Sequence, residues 1–219
     1  MLGPLNDRLV FIGGAIAPIL QTESPFLSAR VTTDVDGVAA TGSARDHAAL
    51  QGELRARGFR EATTERHAHR WICPDADQSR FDLVPAGDHL GSSGQVWDQV
   101  AIDTAVSLEI EPGLTIRHSS AATFLALKWA AFNDRGKTDP FASHDLEDIV
   151  GLIASRPTIV DDARSAPGTV LAFVRDWSVW LRDHRDCDEL LAANLTQSFD
   201  AASAIATTRE RIGELAAYR

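Results

Sequence analysis

The apolar positions of the first half fall in short runs, and those of the second half recur at helical spacing. Leu9-Val-Phe-Ile is a continuous apolar run closed by Gly13-Gly14, which reads as a buried strand followed by a short helix from Ala15. Arg30-Val-Thr-Thr-Asp-Val-Asp-Gly reads as a second strand, and Ser43 to Arg57 as a helix ended by Gly58. Further strands are expected at about His67 to Cys73, Arg80 to Pro85, Ala105 to Ile110 and near Leu114 to Arg117, with Pro112-Gly113 as a turn. From Ser120 the pattern turns helical, near Ala121 to Asn133, His144 to Ala154, Ile159 to Ser165, Thr169 to Arg185 and Ser203 to Ala217.

This order predicts an α+β chain. A mixed sheet flanked by helices is expected over residues 1–118, and a helical part over 119–219 that completes a cleft with it. Phe173, Trp177 and Trp180 fall at spacings of four and three, which reads as the core stripe of one helix, with base stacking as the alternative.

Composition narrows the class without selecting a function. The chain has 219 residues, 44% hydrophobic and 24% charged, as expected of a soluble globular protein. Its net charge of −10 argues against a broad nucleic-acid coat, which relies on many cationic contacts to phosphates. A local basic patch from Arg55, Arg57, Arg60, Arg66 and Arg70, with Arg135 and Lys137, stays open as a seat for an RNA end. The alternative makes Arg55 and Arg57 the solvated face of a helix. Leu9 to Leu20 has the length of a signal-peptide core, but Asp7 and Arg8 leave no positive flank, and Gly13, Gly14 and Pro18 interrupt it. Two cysteines, Cys73 and Cys187, imply no disulfide framework and fit a reducing cytoplasm. The sequence contains no transmembrane run.

The chemistry concentrates at Asp34 and Asp36. On a strand, residues two apart share a face with Cα atoms roughly 6.5–7 Å apart, so both carboxylates can converge on one divalent cation. Mg²⁺ prefers such hard oxygen donors and completes its shell with substrate phosphates. The Gly13-Gly14 turn and the helix after it offer backbone N–H groups to an anion. Asp82 stands between Phe81 and Leu83 in a strand-like run, where a charge needs a partner. A metal shared with Asp34 and Asp36 is one candidate; a salt bridge to Arg80 on the same strand face, or simple exposure of that face, is the alternative. Asp145 and Asp148 share a helix face and repel unless a cation, Lys128 or Lys137, lies between them. Ser143 is placed to cap that helix. Same-face His67 and His69 with Cys73 offer a zinc alternative, although no second ligand pair follows.

These residues carry a family resemblance. The order hydrophobic-Gly-Gly, helix, Asp-x-Asp strand and a later single Asp resembles the nucleotidyltransferase fold of the DNA polymerase β superfamily. Phe124-Leu-Ala-Leu-Lys128, Arg135-Gly-Lys137-Thr-Asp139 and Ser143-His-Asp145-Leu-Glu-Asp148 resemble the AbiEii-type nucleotidyltransferase toxins. The likeness runs from about Val10 to Ile153. It implies that Gly13 and Gly14 form the phosphate-side turn, that Asp34 and Asp36 are the metal carboxylates, and that Asp82 completes the metal site or acts as base for the attacking group. In the same way Lys128 would face the triphosphate, Asp145 would lie near the site, and Arg30 would be the basic residue opening the Asp-x-Asp stretch. His144 stands where many relatives carry lysine.

The implied function is Mg²⁺- (or Mn²⁺-) dependent transfer of a nucleoside monophosphate from an NTP to an acceptor hydroxyl of RNA such as tRNA, of a protein, or of a small molecule. A place in a toxin–antitoxin system, with an antitoxin as partner, follows from the same resemblance. The rival is a nucleotide-binding or interaction protein that keeps the fold without turnover.

Overall fold

The computed structural model describes residues 1–23, 32, 34–41, 43–62, 69–86, 96–196, 198 and 200–218. Arg30, Arg66 and His67, singled out above, lie outside these residues. The chain divides into two compact units, Met1–Ile16 with Val31–Ser120, and Ala17–Arg30 with Ala121–Arg219.

The first unit is built on a mixed sheet. Its strands are β1 (Leu9–Ile12), β2 (Asp34–Ala40), β3 (Arg60–Glu61), β4 (Arg70–Ile72), β5 (Arg80–Ala86), β6 (Val106–Glu111) and β7 (Leu114–His118), in the order β3-β4-β5-β2-β1-β7-β6. The pairs β2–β5 and β1–β7 are parallel and the others antiparallel. All four residues of β1 are buried, as expected of a continuous apolar run at the centre of a sheet. The β6–β7 hairpin turns at Gly113, whose φ of +80° suits glycine.

The helix expected from Ala15 is shorter than its sequence suggests. It is a 3-10 turn at Gly14–Ile16 followed by a single α-turn, α1 (Ala17–Leu20), which belongs to the second unit. So short an element develops little macrodipole, and any grip on an anion there rests on the N–H groups of the Gly13-Gly14 turn.

Two helices flank the sheet. Helix α2 (Ala44–Ala56) starts where the Ser43 side chain accepts a hydrogen bond from the Asp46 N–H, and Gly58 follows it with φ +88°. Arg55 of α2 lies over Trp71, 5.4 Å from its ring centre, and Phe59 meets Phe81 edge-on at 6.2 Å. Trp71 and Phe81 are register partners, so α2 covers their face of the sheet. Helix α3 (Val96–Asp103) was not legible in the sequence, where a short stretch with Asp98 among its inward positions hides the helical period. Arg117 donates a hydrogen bond to the Ile102 carbonyl. The sheet face of Arg117 alternates with that of Ile116 and His118, which places α3 on the side opposite α2.

The second unit is helical: α4 (Ala121–Ala131), α5 (His144–Ser155), α6 (Ile159–Arg164), α7 (Gly168–Arg182), α8 (Cys187–Leu195) and α9 (Ala201–Ala217). Helix α5 is its centre, with Leu146, Ile149, Leu152 and Ile153 fully buried. Each such side chain contributes about 1.5–3 kcal/mol through burial. The helix expected over Thr169 to Arg185 ends at Arg182, and α8 is a further helix whose Leu190, Leu191 and Leu195 enter the core. On α7, Trp177 is core as the stripe predicts. Trp180 is half-buried and packs on Trp129, Phe132 and His184 at ring separations of 5.3, 5.0 and 4.9 Å. Among the described residues, no helix is long and apolar enough to cross a membrane.

Candidate active site

Register brings the three predicted carboxylates to one face of the first unit. Asp36 of β2 lies directly beside Asp82 of β5, and Asp34 beside Arg80. In-register neighbours share a face, and residues two apart on one strand do as well, so Asp34, Asp36 and Asp82 form a row across two adjacent strands. On the other side of β2, Asp36 is the register partner of Ile12, the last residue of β1. The chain then enters Gly13 with φ +74°, and the Asp36 carboxylate fills the space a side chain at Gly13 would need. The Gly-Gly turn and the Asp-x-Asp strand, some twenty residues apart in sequence, are therefore in contact.

The cation that satisfies Asp82 is Arg70, from the antiparallel neighbour β4. Arg70 and Asp82 are register partners. Arg70 Nε donates to Asp82 Oδ1 at 2.8 Å and Nη2 to Oδ2 at 2.7 Å, a two-pronged pairing. The same Nη2 reaches Asp34 Oδ2 at 3.2 Å. Arg80, on the same strand face, is the register neighbour of Asp34, whereas Arg70 stands directly across from Asp82, a relationship that depends on a register the sequence does not display. Asp34 has a second donor in Thr32, whose hydroxyl lies 2.6 Å from Oδ1.

Among the described residues, no group of three His, Cys, Asp or Glu side chains is arranged as it stands around a common metal position. The donor chemistry of the row nevertheless fits Mg²⁺ or Mn²⁺, since it consists of carboxylate oxygens on rigid strands. The Arg70 guanidinium already holds Asp82 and Asp34.

Lys128 and Asp145 form a second cluster within the second unit. Lys128 on α4 is 7% exposed, and its Nζ lies 2.6 Å from Asp148 Oδ2 and 3.4 Å from Asp145 Oδ1. Lys128 is thus the cation between the two α5 carboxylates. Arg135 adds a fork onto Asp145, with Nε to Oδ2 at 2.8 Å and Nη2 to Oδ1 at 3.0 Å. Burial pushes the Asp145 carboxyl up, but the Arg135 hydrogen bonds and the charges of Lys128 and Arg135 outweigh it and hold the group below the usual carboxylate range. Arg135 reaches this position from a π-helical turn at Phe132–Gly136 that ends α4, and Ser143 caps α5 by accepting from the Leu146 N–H.

Arg55 pairs with Glu61, and Arg57 with Glu53 one turn back on α2, so each has a neighbouring carboxylate as partner. Arg70 leaves the proposed basic patch for the carboxylate row. His69 meets the ring of His47 edge-on at 6.3 Å. Burial, followed by the charge of Asp75, pushes the Cys73 thiol up to about 11.

A pocket of about 700 Å³ also lies within the first unit, lined by Phe11, Val35, Phe59, Phe81 and Ile116 among others. Val35 and Phe81 are register partners that alternate with the carboxylates, so this apolar wall is on the opposite sheet face. Arg70 and Thr32 carry no motif that marks them as partners of the carboxylates; the sequence signal of Arg70 is its membership of an arginine-rich stretch, and that of Arg135 its place in the Arg-Gly-Lys segment.

In comparison with known proteins, no family model matches this chain and no curated protein matches it.

Proposed function

We propose that the chain is a divalent-metal-dependent nucleotidyltransferase that moves a nucleoside monophosphate from an NTP to an acceptor hydroxyl and releases pyrophosphate. The observation that carries this reading is the row of Asp34, Asp36 and Asp82 on adjacent parallel strands, with Gly13 left bare beneath Asp36. A purely structural sheet has little use for three like charges on one face, which repel one another and need a resident cation.

Asp34 and Asp36 would hold Mg²⁺ or Mn²⁺, with Asp82 completing the set. Such an ion, when bound, polarises the phosphoryl group and offsets charge on the leaving pyrophosphate. The residues themselves position. The Gly13-Gly14 turn would supply backbone N–H groups to phosphate oxygens. Thr32 fixes the rotation of the Asp34 carboxylate through its 2.6 Å hydrogen bond. Asp82 has both oxygens accepting from Arg70, and would orient the acceptor from that fixed position. Lys128 as a triphosphate contact rests on the family resemblance. Its buried pairing with Asp145 and Asp148 also accounts for its charge.

The rival reading, a nucleotide-binding protein without turnover, draws on the same Arg70 fork, because a guanidinium on the carboxylates substitutes for a metal. Incubation with each α-labelled NTP, Mg²⁺ and total cellular RNA, protein extract or aminoglycoside-type small molecules separates the two. Label transfer that disappears in Asp36→Asn is the expected result, and the arm that takes the label identifies the acceptor class. Absence of transfer in every arm would leave only the non-catalytic reading.

A further inference from the structure

We propose that Arg70 is a built-in competing cation of the carboxylate row, holding Asp34 and Asp82 until a divalent ion arrives together with a polyphosphate. The inference rests on the reading of Asp34 and Asp36 as metal carboxylates and adds how their occupancy is controlled. Arg70 is well buried, with 11% side-chain exposure, and Asp82 retains 15%. Its guanidinium uses Nε and Nη2 on Asp82 and shares Nη2 with Asp34. It therefore occupies the charge-neutralising role a divalent ion would take, on two of the three carboxylates.

Two cations this close repel, and in a partly buried setting that repulsion is not screened away. Occupation of Asp34 by a divalent ion requires Arg70 to give up the 3.2 Å contact, which is longer than the two it makes to Asp82 and involves the more exposed carboxylate. The Asp82 fork, shorter and less exposed, keeps the guanidinium at the site, where the Nη2 N–H released from Asp34 can donate to a phosphate oxygen. Arg70 is then a positioning residue that couples two ligands. The bare ion binds weakly because it displaces a contact without replacing it. An ion carrying a polyphosphate supplies the anion that the displaced N–H needs.

Free Mn²⁺ measured by electron paramagnetic resonance, and retention of labelled pyrophosphate by the Mn²⁺-saturated protein in equilibrium dialysis, test this on the full chain. Arg70→Gln should bind Mn²⁺ about tenfold or more tighter than the wild type and retain pyrophosphate about tenfold less well. A merely structural role moves both affinities down together. Arg70→Lys keeps the charge but cannot hold Asp82 and Asp34 at once. It should bind Mn²⁺ about threefold tighter and decides the matter if circular dichroism shows Arg70→Gln unfolded. Mn²⁺ affinity that is unchanged or weaker in the folded variant overturns the proposal. If Asp36→Asn abolishes Mn²⁺ binding while the Arg70 variants match the wild type, the metal site stands and only the competition fails. If Asp36→Asn leaves Mn²⁺ binding unaffected, both fail.

Discussion

A Cβ placed on Gly13 would stand 1.9 Å from Asp36 Oδ2 and 2.8 Å from its Cγ, so the glycine and the carboxylate occupy one another's only available space. Gly13 also has φ +74°, a conformation that costs a non-glycine residue about 1 kcal/mol or more. Gly13→Ala should therefore destabilise the chain by roughly 2–4 kcal/mol and displace Asp36. Gly52, exposed on α2 with nothing within 4 Å of its Cβ position, is the control. Gly52→Ala should stabilise by about 0.5–1 kcal/mol. Urea unfolding of both variants checks the pair, and equal effects would mean that the close approach at Gly13 is not tight.

The second glycine with no room is Gly136, where a Cβ would meet the Phe132 ring at 2.5 Å and Ser143 Oγ at 2.7 Å. Ser143 caps α5, so crowding here strikes both the π-turn and the start of the central helix. Gly136→Ala should cost about 1–3 kcal/mol by overpacking, more than the ~1 kcal/mol expected of Ser143→Ala alone. Thermal unfolding of the two single variants ranks them. A milder effect for Gly136→Ala would show that the turn relaxes.

Asp98 gives a pH dependence that runs against the common pattern for carboxylates. It is 4% exposed on α3, and burial pushes its carboxyl up to about 7. Between pH about 4 and 7 the folded chain holds this proton while the unfolded chain has lost it. Folding is thus favoured at the acid end of that window, and the advantage disappears as pH rises through 7. From pH 5 to 8 the wild type should lose on the order of 2 kcal/mol on this account, and Asp98→Asn should flatten the loss. Urea midpoints at the two pH values decide, and an identical change in the variant would assign the slope to other groups.

Much of the architecture was written in local patterns. The run Leu9-Val-Phe-Ile marked a buried strand, Ser43 and Gly58 bracketed α2, and Ser143 marked the start of α5, because each signal is the residue's own backbone or capping chemistry. What stayed hidden was relational. The contact between Gly13 and Asp36, the pairing of Asp36 with Asp82 and the fork from Arg70 all depend on strand order and register, which arise from long-range pairing. Helix α8 escaped because its inward leucines, Leu190, Leu191 and Leu195, sit in nine residues, too few for a clear period. The need of Asp145 and Asp148 for a cation is a local matter, since they share a helix turn. Choosing Lys128 over Lys137 required the packing of α4 on α5.

That cluster supports a prediction separable from any catalytic role. Asp145 and Asp148 keep 5% and 4% side-chain exposure, while Arg135, Asp145's other cation, is 69% exposed. Lys128→Met removes the buried positive charge and leaves Asp148 without its lysine, which should cost about 3–5 kcal/mol. Arg135→Ala should cost about 1 kcal/mol or less, since an exposed partner gains little over water. In a double-mutant cycle, Asp148→Asn on the Lys128→Met background should recover a large part of the loss, because a neutral amide tolerates the site that an uncompensated carboxylate does not. The Asp145 carboxyl is held below its usual range, so the stability it contributes is present above its unfolded value near pH ~4 and is lost as pH falls through the lower folded value. Asp145→Asn should lack that acid-side loss. A Lys128–Asp148 coupling below about 0.5 kcal/mol would mean that burial of this cluster is relieved by water, and would release Lys128 for a ligand.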